Sequence, residues 1–108
     1  MALQSFPIGG LRGAHTAGGR LYHEFLRVPA MSSGLYLLPA GSADPQQPHA
    51  EDEVYVVLSG RGRFTCEGET VAVEPGQTIY VPARDAHRFH DIVEDLAIIV
   101  VFAPAEAE

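Results

Sequence analysis

Residues 53–81 read Glu-Val-Tyr-Val-Val-Leu-Ser-Gly-Arg-Gly-Arg-Phe-Thr-Cys-Glu-Gly-Glu-Thr-Val-Ala-Val-Glu-Pro-Gly-Gln-Thr-Ile-Tyr-Val. Short runs of β-branched and aromatic residues alternate here with turn residues. Glu53–Leu58 is apolar and β-branched, and Ser59-Gly60-Arg61-Gly62 is a turn signal. Arg63–Cys66 and Thr70–Val73 flank Glu67-Gly68-Glu69, the pattern of a hairpin. Glu74-Pro75-Gly76 predicts another turn, because Pro fits its first central position and Gly supplies positive φ. Gln77–Val81 then runs into a turn at Pro82–Ala86.

The same rhythm extends outward. Arg20–Val28 is a predicted strand stopped by Pro29, and Gly34–Leu38 is another stopped by Pro39. A polar loop, Ala40–Pro48, separates them from the central stretch. His87–Ile92 and Leu96–Ala103 complete the series. No window holds a helical period over three turns, so the pattern predicts an all-β sandwich or barrel. Leu96–Phe102 is apolar on both faces and must be covered twice. The N-terminal arm or a second subunit would supply the second cover, which makes a homodimer the expectation. The chain divides into an arm (1–19), a barrel domain (20–104) and a tail (105–108).

With 108 residues there is room for one core. The net charge is -7, and all seven basic residues are Arg. No basic stripe is available to displace counterions from phosphates, so nucleic acid is excluded as a partner, and a membrane surface by the same reasoning. No apolar run approaches the roughly 20 residues of a membrane span. The start, with Pro7, Gly9 and Gly10, does not read as a signal peptide. Cys66 is the single cysteine and reads as a small buried hydrophobe. The expectation is a cytoplasmic protein whose partner is a small-molecule ligand.

Chemistry-bearing residues concentrate in two places. Alternation puts Gln47 and His49 on one side of the chain, and Glu53 on one face with Tyr55 and Val57. A carboxylate aimed into a core must find a partner, and a divalent cation shared with His49 is a natural one. Farther along, His87, Phe89 and Asp91 share a face, while Arg88 and His90 share the other. His23 could line a pocket or face solvent.

Two spacings then become specific. His49-x3-Glu53-x6-Gly60 resembles the first motif of the cupins, and Gly76-x5-Pro82-x4-His87 resembles the second. The resemblance implies a double-stranded β-helix, the jelly-roll cupin barrel. It also implies a metal held by His49, Glu53 and His87, with Gln47 where the family has its first His. Arg84 stands where the second motif has Gly, and Asp91 where it has Asn. A mixed nitrogen and oxygen set suits Fe, Mn, Ni, Co or Zn. Asp52, Asp85 and Asp91 are candidate partners for the imidazole N–H groups. His23, Tyr55 and Phe89 are candidate pocket residues. The implied function is a metal-dependent enzyme on a small organic molecule, dioxygenase-, isomerase- or decarboxylase-like. The alternative is a non-catalytic binding or sensing module.

Overall fold

The computed structural model describes residues 3–12 and 21–107. His15 and the expected first strand residue, Arg20, lie outside them. The strands are β1 (Tyr22–Val28), β2 (Met31–Leu38), β3 (Asp52–Cys66), β4 (Glu69–Val73), β5 (Thr78–Val81) and β6 (His87–Ala103). All pairings are antiparallel, in the order β1-β2-β6-β3-β4, with β5 added along β3. The all-β jelly-roll expectation holds. Among the described residues no helix is long and apolar enough to cross a membrane.

Two predicted breaks are absent. Ser59–Gly62 is not a turn, and residues 93–95 do not separate two strands. β3 and β6 each run through, paired along most of their length. Register shifts between Val57 and Arg63 bend the pair instead. Bulges of this kind let a long strand turn a corner and serve both walls of a sandwich. Gly60 sits at that corner with φ of 99° against the Asp95–Leu96 backbone, and Asp91, opposite Gly62, has φ of 47°. The glycine that reads as a turn in sequence is a bulge in the folded chain.

Alternation then sorts the side chains. Glu53, Tyr55 and Val57 of β3 point inward, as do Phe89, Ile98, Val100 and Phe102 of β6 and Tyr36 and Leu38 of β2. Phe64 and Phe89 meet at 4.7 Å between ring centroids and Tyr55 and Phe89 at 5.0 Å, a tilted aromatic cluster at the base of the barrel. The opposite face of β2 and β6 carries Leu35 and Ala97, also buried. Residues 6–12 of the N-terminal arm lie on this side. A single turn of helix over residues 8–12 buries Leu11 and brings the Arg12 guanidinium to the Ser59 hydroxyl at 2.9 Å, in a cleft shared with Leu37 and Ala97. Phe6 packs on Phe25 of β1.

The corner depends on the missing side chain of Gly60. A Cβ there would stand 2.3 Å from the Asp95 carbonyl oxygen and 2.7 Å from Leu96 Cα. Both are backbone atoms that cannot step aside. Gly60→Ala should therefore destabilise the fold by at least about 2 kcal/mol, combining backbone strain with a core clash. A urea unfolding curve with an unchanged midpoint would contradict this placement.

Candidate metal centre

Glu53 lies near the start of β3, opposite Val81 of β5 and Phe102 of β6. It is only 1% exposed. Its Oε1 accepts a hydrogen bond from the Tyr55 hydroxyl at 3.1 Å. The inward placement follows from alternation alone. What it faces follows from how the two motif segments are joined. The Arg84 amide donates to the carbonyl of His49, and the Ala83 amide donates to the Asp52 carboxylate at 2.9 Å. These bonds fix the turn before β6 against the loop before β3, so that His49 and His87 meet over Glu53.

His87 opens β6 with its ring buried. Its Nδ1 lies 2.8 Å from the Asp85 carbonyl oxygen. A carbonyl only accepts, so Nδ1 carries the hydrogen, and a neutral ring then leaves Nε2 as a bare lone pair. That Nε2 is buried without a hydrogen bond, although Glu53 Oε2 is 3.0 Å away, because the contact is misdirected for one. Two electron-rich atoms face each other across a gap that demands positive charge. A proton answers the demand in part. Burial, the largest single influence, pulls the His87 pKa down, but Glu53 and the Asp85 carbonyl together outweigh it and raise the pKa above the ordinary imidazole value.

His49 supplies the third group. Its Nε2 is 3.8 Å from Glu53 Oε1, and its ring packs edge-on against Phe102. One donor atom from each of His49, Glu53 and His87 can be chosen so that all lie within 4.8 Å of one another. Ligand atoms about 2.1 Å from a common ion stand roughly 3–4 Å apart. The Glu53–His87 separation through Oε2 (3.0 Å) and the Glu53–His49 separation through Oε1 (3.8 Å) both fall in that span, so the two imidazoles approach different oxygens of one carboxylate. The residues present therefore fit a divalent cation.

The far edge of the His49 ring is met by the C-terminal tail: Glu106 Oε2 lies 3.2 Å from Nδ1. The tail is itself held. The Glu106 amide donates to Ser32 Oγ, its carbonyl accepts from Arg27, and the Ala107 amide donates to the Glu51 carboxylate. Burial raises the Glu106 pKa, while His49 acts in the opposite sense. Sequence reading passes over Glu106 because nothing in a terminal Pro-Ala-Glu-Ala run marks a contact with residue 49. Of the expected imidazole partners, Asp85 does serve His87, and the other two have different tasks. Asp52 caps the turn at Ala83, Asp85 serves His87 through its backbone carbonyl, and Asp91 pairs with His90.

Gln47 is exposed, and it is Gln46 whose amide oxygen approaches the cluster, 3.4 Å from His49 Nε2 and 3.1 Å from the Tyr55 hydroxyl. The parity argument for Gln47 needs a strand. Residues 43–49 have none, and Pro45 and Pro48 set the backbone instead. Tyr55 touches Glu53, and Phe89 packs beneath Tyr55 without contacting the cluster directly. His23 pairs with Leu35 on the face opposite Tyr22. It is Tyr22 that lines the cavity beside His49, a space of about 230 Å³ walled also by Tyr36, Gln46, Val100, Phe102 and Glu106. Gly34 makes room for it, since a Cβ there would lie 2.4 Å from the Tyr22 hydroxyl. A second cleft, of about 410 Å³, opens on the His87 side between Gln46, Thr65 and Arg88. His90 bonds Thr65 and Asp91 away from the cluster, and Arg84 is exposed.

Relatives agree with this architecture. An uncharacterized protein of Streptomyces coelicolor, SCO3923, is 48% identical over 105 residues, spanning 97% of this chain and all of that protein. The glucose-6-phosphate isomerase of Pyrococcus furiosus is 40% identical over 60 residues, 51% of this chain but only 32% of the isomerase. The crystal structure of SPY1581, a conserved protein of unknown function from Streptococcus pyogenes, superposes with a TM-score of 0.68 at 26% identity, over 81% of this chain and 75% of that one. The family model described as the cupin domain matches residues 34–102, from the middle of β2 to the end of β6 and across both histidine-bearing segments. The chain belongs to the cupin family.

Proposed function

We propose that the protein is a divalent-metal enzyme acting on a compact, largely apolar molecule that carries oxygen donors. The observation that carries this reading is the facing pair of His87 Nε2 and Glu53 Oε2, 3.0 Å apart, buried and without a hydrogen bond between them. His49, Glu53 and His87 would hold the ion, and the Gln46 amide oxygen is the adjacent fourth donor, in place of Gln47. A bound divalent cation supplies Lewis-acid polarisation of a substrate oxygen, and redox chemistry where the ion is Fe or Mn. The chain's own residues do the rest. Tyr55 donates to Glu53 and fixes its carboxylate. Phe64 and Phe89 close the floor against water.

The substrate class follows from the cavity beside His49. Its described walls are Leu, Tyr, Val, Pro and Phe with His49, Gln46 and Glu106, and no Arg is among these described residues. The partial likeness to a glucose-6-phosphate isomerase spans only 32% of that protein and does not by itself carry its substrate over. Tyr22 lines the space, and its buried hydroxyl has no hydrogen-bond partner among the described residues. A substrate oxygen would accept from it. The candidate reactions on such a molecule are isomerase-, decarboxylase- or dioxygenase-type steps, and turnover assays with small carbonyl and phenolic compounds separate these from a purely binding role.

Two outcomes follow. Titration calorimetry with Co(II), Mn(II) or Fe(II) should give one ion per chain. His49→Ala and His87→Ala should each weaken binding at least about 100-fold, because second-sphere losses alone cost 10–100-fold. His90→Ala should bind like the parent, and equal affinity in all three variants would contradict the assignment. The second outcome concerns the metal-free protein. There His87 should titrate above the ordinary imidazole value of 6.5. The raised value stabilises the metal-free fold fully below the unfolded pKa, and that contribution is lost as pH rises through the folded one. Glu53→Gln should lower the His87 pKa, leaving burial less opposed. An NMR titration of the His87 ring that does not move in Glu53→Gln would refute the coupling.

A further inference from the structure

Asp44 lies in the loop between β2 and β3, outside both motifs, and its carboxylate accepts four hydrogen bonds. Its Oδ1 accepts from the Tyr36 hydroxyl at 2.5 Å and from the Gln46 amide at 3.1 Å. Its Oδ2 accepts from Gln46 Nε2 at 2.8 Å and from the Phe89 amide at 2.9 Å. One carboxylate thus joins β2, the metal-site loop and β6.

The consequence for Gln46 is chemical. A side-chain amide has a donor end and an acceptor end of nearly equal shape, and only its surroundings decide which way it points. A carboxylate is acceptor-only, so Asp44 can take only the NH2 end. The oxygen end is then turned toward Tyr55 and His49, at 3.1 and 3.4 Å. We infer that Asp44 is a positioning residue that locks the Gln46 amide with Oε1 toward the His49–Glu53–His87 cluster, and so makes Gln46 an oxygen donor to the ion. The ligand role of Gln46 rests on the metal reading above; the orientation of its amide does not.

The orientation is read first, in the wild-type protein without added metal. The Gln46 side-chain NH2 protons should give NOEs to the Phe89 backbone amide proton, because both groups converge on the same Asp44 oxygen. NOEs from that NH2 to the Tyr55 or His49 rings in their place would overturn the inference. Metal affinity is read next, with Co(II). Asp44→Ala should weaken binding about tenfold or more, the usual loss when a ligand's orienting partner is removed. Gln46→Glu added to Asp44→Ala should restore affinity, since a carboxylate has no wrong end to present. Parental affinity in Asp44→Ala, or no recovery in the double variant, would overturn the ligand role. If Asp44→Ala does not fold, Gln46→Leu decides the same point: unchanged Co(II) affinity overturns it, and a loss supports it. A wild type that binds no divalent ion would defeat the metal reading while leaving the NOEs to decide the orientation.

Discussion

A carboxylate at 1% exposure is the constraint around which this molecule is arranged. Moving an ionised Glu from water into a protein interior costs several kcal/mol unless charge and hydrogen bonds are returned to it. One hydroxyl, from Tyr55, is returned to Glu53 by the barrel wall. The remaining compensation must come from the two imidazoles above it. His87 cannot provide it as a neutral ring, because its N–H is committed to the Asp85 carbonyl. Positive charge is therefore required between Nε2 and Oε2, as a proton on the ring or as a cation shared by both.

The fold delivers these groups from distant parts of the chain by ordinary means. β3 presents Glu53 by alternation, and backbone bonds from Ala83 and Arg84 to Asp52 and His49 dock the second motif onto the first. The aromatic floor of Tyr55, Phe64 and Phe89 keeps the cluster dry from below. Above it the space divides, with an apolar cavity on the His49 side and a more polar cleft on the His87 side, both bordered by Gln46. Asp44 and the C-terminal tail reach the same cluster from two further directions, so the site is braced by segments that contribute no ligand in the family motifs.

Much of this is legible in the residues themselves. The period of two along β3 places Glu53, Tyr55 and Val57 together, and the same rule separates His87 and Phe89 from His90. The motif spacing then pairs His49 with His87 across nearly forty residues. Legibility ends where regular structure does. Ser59-Gly60-Arg61-Gly62 has the composition of a turn, and only pairing with β6 turns it into a bulge. Gln47 matches the motif position, but between two prolines parity has no meaning, and Gln46 faces inward. Tyr22 rather than His23 lines the cavity because the start of β1 is fixed by pairing with β2, a long-range fact. Glu106 acts on a partner 57 positions away, and Asp44 ties the neighbouring Gln46 to Phe89, 45 positions away, links that no local pattern encodes.

The most direct test of the central claim is a crystal structure of the cobalt-loaded protein with anomalous data collected at the cobalt edge. The account predicts a single strong anomalous peak per chain within coordination distance of His49 Nε2, Glu53 and His87 Nε2. A map with no peak there, and with His87 Nε2 joined to Glu53 by a well-aligned hydrogen bond instead, would contradict it.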